Sequence, residues 1–458
     1  MRVVHITTSD SGGAGRACVR LHKALLQFGI DSIILTNNKT IDIPSIIRVA
    51  KTKPQKLLEK LRPALSQLPL IIYKRKHKEI FSPNIAIFNP KNKALLKMLD
   101  ELKPDIIHLH WIESGFLNIK DLLYFNAPII WSMHDSNPYT GGCHYVAPSC
   151  TKANIECKKC PLLNSNYNYD LSYLTFKRKQ KTYTKLKNLT IIGLSSWITD
   201  CAKKSALLKD KQIINLPNPI DTEVYKPISK ETAKDLLGIN KDTKIIAFGA
   251  ISATSIKRKG YRELREALSL LKNKSNIKLV VFGSSNKEDI ERIKTIYMGH
   301  LYDDISLRII YSLSDVFVAP SLAENLSNAI MESLACGTPV IAFDIGGNKD
   351  MIKHLYNGYL AKPYDINDLA RGIEWILESN NYKNISNNAI KSVKEKFDSK
   401  LITNKYIEVY NTLLNRGGVE SNLIITFYFN KNSFTQNSYY KNIFNKTLNK
   451  PKFLRQVA

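Results

Sequence analysis

Apolar residues along the chain fall into short continuous runs separated by stretches with helical spacing. Val3–Thr8 is the first run. Ser11-Gly12-Gly13-Ala14-Gly15 then reads as a tight turn, and Arg16–Phe28 carries apolar residues on one helical face. Gly29 ends that helix, and Ser32–Thr36 gives the next strand. Comparable runs stand at Ile106–His110, Ile129–Met133, Ile191–Leu194, Ile213–Leu216, Ile245–Phe248, Leu279–Phe282, Val316–Ala319 and Val340–Phe343. Runs that are continuous rather than alternating predict strands buried on both faces. That means parallel sheets covered by helices, an α/β fold.

The series breaks once. A proline-rich connector runs from Leu216-Pro217-Asn218-Pro219 to Lys226-Pro227, and a fresh strand–helix series begins at Lys244. The pattern predicts two doubly wound, Rossmann-like domains, 1–217 and 218–397, facing each other across a cleft, with a last helix at about 398–415 packing back on the first. Ligands of such sheets sit at the carboxyl ends of the strands. Two segments fall outside the scheme. Residues 51–78 hold nine Lys/Arg against one Glu, with Leu57, Leu58, Leu61, Leu65 and Leu68 at helical spacing, a basic amphipathic insertion. Residues 416–458 form an Asn/Lys-rich tail with little periodicity, expected to be irregular.

Charge sharpens the picture. The 67 Lys/Arg exceed the 40 Asp/Glu, a net +27, so an anionic partner or surface is expected. With 44% hydrophobic and 23% charged residues the 458-residue chain is otherwise ordinary globular protein, long enough for two cores. The apolar part of Met1–Thr8 is too short for a signal peptide, and no run reaches the length of a membrane span. The expected location is the cytoplasm, or the periphery of the inner face of its membrane.

The most specific string is Pro320-Ser321-Leu322-Ala323-Glu324-Asn325-Leu326, after a strand and leading into a helix that Gly337-Thr338-Pro339 terminates. If Glu324 and Glu332 share that helix, eight steps separate them by about 12 Å of rise and roughly 80° of turn. Two carboxylates so placed cannot share one small substrate atom. They suit hydroxyls at the two ends of an extended ligand, with a diphosphate between them at the helix N-terminus.

The whole segment from Pro320 to Ile352 resembles the Glu-x7-Glu region of the group 1, family 4 retaining glycosyltransferases. Leu216–Pro227 resembles their interdomain connector, Arg258-Lys259-Gly260 their phosphate-gripping segment, and Gly12–Gly15 their acceptor-side glycine loop. Pro104–Trp111 and Trp131–Tyr145 resemble members that build bacterial cell-surface polysaccharides: O-antigen, capsule and exopolysaccharide. The resemblance covers about residues 1–415.

It implies the GT-B fold, with an N-terminal acceptor domain and a C-terminal domain for the nucleotide-sugar. The implied reaction moves a sugar from a UDP- or GDP-sugar to a lipid-linked glycan acceptor with retention of configuration and no required cofactor. Glu324 would orient the donor sugar and Glu332 the ribose. Lys259 with Arg258 would neutralise the departing diphosphate, and His134 would face the reacting sugar. Gly13, Asn325 and Leu326 would complete the donor site. One departure stands out: many members carry Arg after the glycine of the preceding strand, where this chain has Gly249-Ala250.

Other signals weigh less. Cys143, Cys150, Cys157 and Cys160 include one C-x2-C pair, but the remaining intervals are loose for zinc. Thiols packing a loop are expected, with structural zinc the alternative. His108 and His110 are expected to be structural. The 51–78 insertion suits an anionic membrane surface as well as a solvated face. Rivals fare poorly: the chain lacks the third glycine of a dinucleotide fingerprint, and its aromatics do not form an RNA-binding motif, so nucleic acid is not an expected partner. A nucleotide-sugar epimerase or a phosphorylase of the same fold is the closer alternative. An epimerase would turn over without acceptor, and a phosphorylase would need pyridoxal phosphate.

Overall fold

The computed structural model describes residues 1–74, 81–85, 87–147, 149–250, 252, 254–284, 293–301 and 303–415. The expected irregular tail at 416–458 and the last residues of the basic insertion, 75–78, lie outside the described residues.

Two parallel sheets carry the chain. The first holds β1 (Arg2–Ser9), β2 (Asp31–Asn38), β3 (Ile46–Arg48), β4 (Ile106–Leu109), β5 (Ile129–Met133), β6 (Leu189–Gly193) and β7 (Gln212–Asn215), in the order β3-β2-β1-β4-β5-β6-β7. The second holds β8 (Lys244–Gly249), β9 (Ile277–Phe282), β10 (Lys294–Tyr297), β11 (Val316–Ala319), β12 (Val340–Phe343) and β13 (Gly358–Ala361), in the order β10-β9-β8-β11-β12-β13. Two doubly wound parallel sheets are the expected fold class. Central strands are fully enclosed, as the continuous runs require: Val3, Val4, Ile6, Ile106, Ile129 and Ile130 are all buried.

Strand order reverses between β1 and β4 in one sheet and between β8 and β11 in the other. These are the topological switch points where a crevice opens. The segments leaving them carry Ser11–Gly15, His110, Ala250 and Pro320. The last helix, Ser399–Asn415, crosses back to the first sheet, where Tyr410 Oη meets His108 Nδ1 at 2.8 Å.

Two local expectations are corrected. The glycine-rich segment is not a turn before the first helix but its opening: the helix runs Gly12–Gln27. Gly12 has φ +76°, and a Cβ on Gly15 would sit 2.4 Å from the Ser9 carbonyl oxygen, so the chain can double back on β1 only with glycine there. The second correction concerns Glu324 and Glu332. The helix is only Asn328–Ala335, so Glu324 lies in the loop before it and the helical spacing does not apply. Asn325 holds that loop away from the helix. Its side chain accepts from Ser195 Oγ at 2.6 Å and donates to the Met133 carbonyl at 2.9 Å, both in the first lobe.

Candidate active site

The second lobe grips Glu324 from below. Lys257–Lys259 forms a single helical turn that Gly260 (φ +75°) closes against the Pro320 carbonyl; a Cβ there would lie 1.8 Å from that oxygen. The close approach pairs this segment with the Glu324 loop: Leu322 N–H donates to the Arg258 carbonyl (2.8 Å), and Arg258 Nη1 to the Ala323 carbonyl (2.9 Å). Lys259 Nζ lands 2.9 Å from Glu324 Oε2, and Arg258 Nη1 3.9 Å from the same oxygen. Burial pushes the Glu324 carboxyl up, but the Lys259 ammonium and Arg258 guanidinium outweigh it and hold the group below the usual carboxylate range. Glu324 is therefore ionised. Arg258 also lies over the Tyr145 ring, 4.0 Å from its centre, a cation–π contact across the cleft.

The first lobe supplies the opposite wall. Asn325 Nδ2 donates to the carbonyls of Met133 and His134, at 2.9 and 3.3 Å, so the carboxyl end of β5 is strapped to the Glu324 loop. Two helix N-termini also meet here. Asn328 Nδ2, at the start of its helix, donates to the Gly13 carbonyl (3.0 Å) in the opening turn of the first-lobe helix. Neither Ser11 nor Ser327 caps its helix with a side-chain hydrogen bond, which leaves amide donors of both helices for an anion. A Cβ on Gly13 would meet nothing within 4 Å. Nothing in the fold demands glycine at that position; the space in front of it is open.

His134 heads a row of imidazoles. Its Nε2 is 3.0 Å from His110 Nδ1, and His110 Nε2 is 3.1 Å from His5 Nδ1. Burial pulls the His134 pKa down to about 4, with Asp135 opposing, and drives His110 and His5 well below the ordinary value. All three rings are neutral at pH 7. The loop after His134 is braced by Asp135, which accepts from His144 Nδ1 (2.6 Å), Trp111 Nε1 (2.8 Å) and the Asn137 amide (2.8 Å). His144 Nε2 reaches Ser82 Oγ at 2.9 Å. The order matches a Ser–His–Asp triad, but Ser82 and His144 are buried, and the set serves as a brace.

Glu332 sits deeper in the cleft, 2% exposed, and its surroundings were not foreseen. Arg20 Nη2 donates to its Oε1 at 2.5 Å, Arg16 Nη2 lies 3.4 Å from the same atom, and Tyr311 Oη donates to Oε2 at 2.9 Å. Arg16 also pairs with Asp304 at 2.8 Å. A carboxylate has about four acceptor sites, more than these three side chains fill. Buried Arg20 Nη1 has no partner. Arg16 and Arg20 stand four apart on the helix that the glycine segment opens, a shared-face spacing that could have announced them. Leu326 joins the apolar cluster with Ile330, Met331 and Leu334, so its side chain is spent in packing.

The four cysteines are neighbours: burial, and then Cys157, Cys160 and Cys150, push the Cys143 thiol up, while among the described residues no three of their sulfurs lie within 4.8 Å of one another. Cys143 and Cys160 pack with Phe81, Leu163 and Leu171, while Cys157 accepts the Gly141 amide at 3.2 Å. Only His5, Cys18 and His110 form a buried trio of that kind among the described residues, and both His110 nitrogens already face other histidines.

Two family profiles match, one in each lobe: Glycosyltransferase Family 4 over residues 11–224 and Glycosyl transferases group 1 over 229–392. The chain belongs to the group 1, family 4 glycosyltransferases. Among solved structures, this glycosyltransferase superposes on sucrose-phosphate synthase from Thermosynechococcus elongatus with a TM-score of 0.64 and 18% identity, over 91% of this chain and 100% of that one. HepE of Anabaena, in complex with UDP-glucose, gives 0.59 and 14% over 90% of this chain and 100% of its own. These likenesses establish the GT-B fold. A curated relative, the N,N'-diacetylbacillosaminyl-diphospho-undecaprenol alpha-1,3-N-acetylgalactosaminyltransferase of Campylobacter jejuni, is 28% identical over 204 residues, 43% of this chain and 53% of that protein. The glycosyltransferase spans about half the length of the curated relatives it matches.

Proposed function

We propose that this chain transfers a sugar from a UDP- or GDP-sugar to a lipid-linked glycan acceptor, with retention of anomeric configuration, in cell-surface polysaccharide assembly at the inner face of the cytoplasmic membrane. One observation carries the reading: two uncapped helix N-termini from opposite lobes meet at Gly13 and Asn328, and Asn328 follows four residues after Glu324, which forms a half-buried pair with Lys259. That is an anion site with a carboxylate at its edge, the charge pattern of a diphosphate joined to a sugar. HepE, which was solved in complex with UDP-glucose, and the Campylobacter jejuni relative, whose name includes diphospho-undecaprenol, support the donor and acceptor classes.

In this reading the N-terminal domain takes the acceptor and the C-terminal domain the donor. The helix amides, Lys259 and Arg258 meet the diphosphate. Glu324, ionised, accepts from donor-sugar hydroxyls, and the free acceptor site of Glu332 takes a ribose hydroxyl. Neutral His134 faces the reacting sugar, with Gly13 admitting the donor close to backbone. The acceptor oxygen bonds to the anomeric carbon as that carbon's bond to the diphosphate breaks. The bonding pair leaves with the diphosphate, and the hydroxyl proton passes to a diphosphate oxygen. Stabilising that leaving charge is the protein's main task, about 3 kcal/mol per well-placed donor.

Purified chain should be offered radiolabelled UDP- and GDP-sugars with polyprenyl-diphosphate-linked saccharides. Nucleoside diphosphate released only when acceptor is present supports the reading. Turnover of donor alone to an isomeric sugar would instead mark an epimerase.

A further inference from the structure

The helix Lys53–Gln67 is inside out. A surface helix ordinarily turns its apolar stripe to the core and its polar side to water. Here the buried residues are Glu59, Arg62 and Ser66. Glu59 pairs with Arg48 Nη2 at 2.9 Å, and Arg62 Nη1 donates to the carbonyls of Pro90 (2.9 Å) and Gly115 (3.0 Å). The packing is tight, since a Cβ on Gly115 would lie 2.5 Å from the Arg62 carbonyl oxygen. The polar face is thus a built seat.

The leucines point the other way. Leu57 is 61% exposed, Leu61 48% and Leu68 40%. At about 100° per residue these three and Ala64 fall within one arc of about 60°, opposite Glu59. Exposed Lys53, Lys56 and Lys60 lie along one flank of that arc. The strip continues past the helix into Ile71 and Ile72, 76% and 80% exposed, followed by exposed Lys74. A neighbouring loop extends it: Asn164 Nδ2 donates to the Lys74 carbonyl and Leu171 N–H to Tyr73 Oη, bringing up Tyr167 and Tyr169, 78% and 76% exposed.

A capping box at Thr52 and Gln55 fixes where the helix begins, so the outward leucines do not follow from a frayed end. A contiguous apolar strip of this kind marks an interaction surface. Its chemistry selects the partner: aliphatic side chains in a row, lysines at the flank, tyrosines at the margin, on a chain of net charge +27. Those are the features of a helix lying in a lipid headgroup layer, with apolar residues inserted and cations on acidic headgroups. We propose that the outward face of Lys53–Gln67, with Ile71, Ile72 and the Tyr167–Tyr169 loop, docks the protein on an anionic bilayer. The docking deepens the proposed lipid-linked acceptor by bringing the acceptor lobe to the surface that holds it, yet it is read without donor or acceptor.

The test uses the full chain with vesicles of phosphatidylcholine alone or mixed equally with phosphatidylglycerol. The protein should sediment with the mixed vesicles and not with phosphatidylcholine. Replacing Leu57, Leu61 and Ile72 together by Ser should weaken that partition by at least about tenfold, with thermal unfolding and donor turnover in solution unchanged. In a separate Ile72→Trp variant, chosen because the exposed position cannot upset the core, emission should shift to the blue on adding anionic vesicles. Equal binding of parent and triple variant, or unshifted Trp emission, overturns the proposal. So does a dimer in solution that the triple variant abolishes without any vesicle binding, because the face would then be covered by a second copy. Loss of donor turnover with vesicle binding intact would count against the proposed reaction alone.

Discussion

Arg20 and Glu332 meet across the cleft, 312 residues apart in sequence, with Arg20 Nη2 2.5 Å from Glu332 Oε1. Arg20 comes from the first helix of the N-terminal lobe and Glu332 from the short helix of the other, so the pair is a clasp between lobes. Arg16, Tyr225, Tyr311 and Asp304 surround it; Tyr225 Oη donates to Asp304 at 2.6 Å. Burial pushes the Arg20 guanidinium down, and Glu332, Tyr225 and Asp304 together more than restore it. Removing one partner of such a pair typically costs about 3–5 kcal/mol, because the other charge is left buried and alone. Glu332→Ala should therefore lower the unfolding free energy by that order, read as a lower urea midpoint, and raise the donor KM. A variant that unfolds at the parent's urea concentration would reduce the clasp to a surface contact.

In the proposed reaction Lys259 meets the leaving charge, and its present partner is Glu324. Loss of one such donor is worth about two to three orders of magnitude in rate, so Lys259→Ala should lower kcat at least about a hundredfold. Glu324→Gln separates the roles. It keeps shape but relaxes Lys259, so it should cost kcat while leaving diphosphate affinity unchanged or tighter. Titration of nucleoside diphosphate by calorimetry reads the affinity, and weaker binding in Glu324→Gln would contradict the assignment of that carboxylate to hydroxyls.

Two glycines in one helical turn should behave oppositely. A Cβ on Gly15 would sit 2.4 Å from the Ser9 carbonyl and 2.6 Å from the Asp10 carbonyl carbon, so Gly15→Ala should destabilise the first lobe severely. Gly13 faces open space, and Ala is the better helix former by about 1 kcal/mol. Gly13→Ala should melt at or above the parent temperature and yet bind nucleotide-sugar more weakly. Thermal melts with and without donor distinguish the two, and an unaltered donor affinity would remove Gly13 from the site.

How much the sequence announced depended on how one-sided each signal was. Interior strands β5, β11 and β12 were legible to the residue, because Ile129–Met133, Val316–Ala319 and Val340–Phe343 are apolar but for Ser132 and lie in the middle of sheets. Strands β3, β10 and β13 were not. They lie at or beside sheet edges, are three or four residues long, and mix Arg, Lys or Gly with apolar residues, so no periodicity separates them from loop. The spacing of Glu324 and Glu332 was legible but its geometry was not. Contacts of Asn325 with Ser195 and Met133, more than 100 residues away, keep Glu324 off the helix. His110 read as structural because a lone histidine usually is; only the adjacency of β4 and β5 shows its ring against His134.

That row of rings gives the chain a pH signature with a definite sign. His134, His110 and His5 are linked nitrogen to nitrogen, so each neutral ring must donate once and accept once, and all protons share one direction along the row. His5 Nε2 ends the row, buried and without a partner. A bare acceptor is tolerated there better than a bare N–H, which sets His5 and His110 with the proton on Nδ1 and makes His134 Nε2 an acceptor. Protonating His110 or His134 would place two donors face to face, and protonating His5 would bury an N–H without a partner. Burial lowers the pKa of His134 to about 4 and, beside the row, that of His108 to about 3, against about 6.5 in the unfolded chain. The folded state therefore binds fewer protons than the unfolded one between those values. Its stability is full above about pH 6.5 and is lost as pH falls toward 4, at about 1.4 kcal/mol per unit for each histidine involved. Urea midpoints should be level from about pH 8 to 7 and drop steadily below about 6.5, and His110→Gln should start lower but decline less steeply, having one ring fewer to protonate. A parent whose midpoint holds constant down to about pH 4.5 would mean the row is not buried in neutral form, and the single proton direction that orients His134 toward the cleft would go with it.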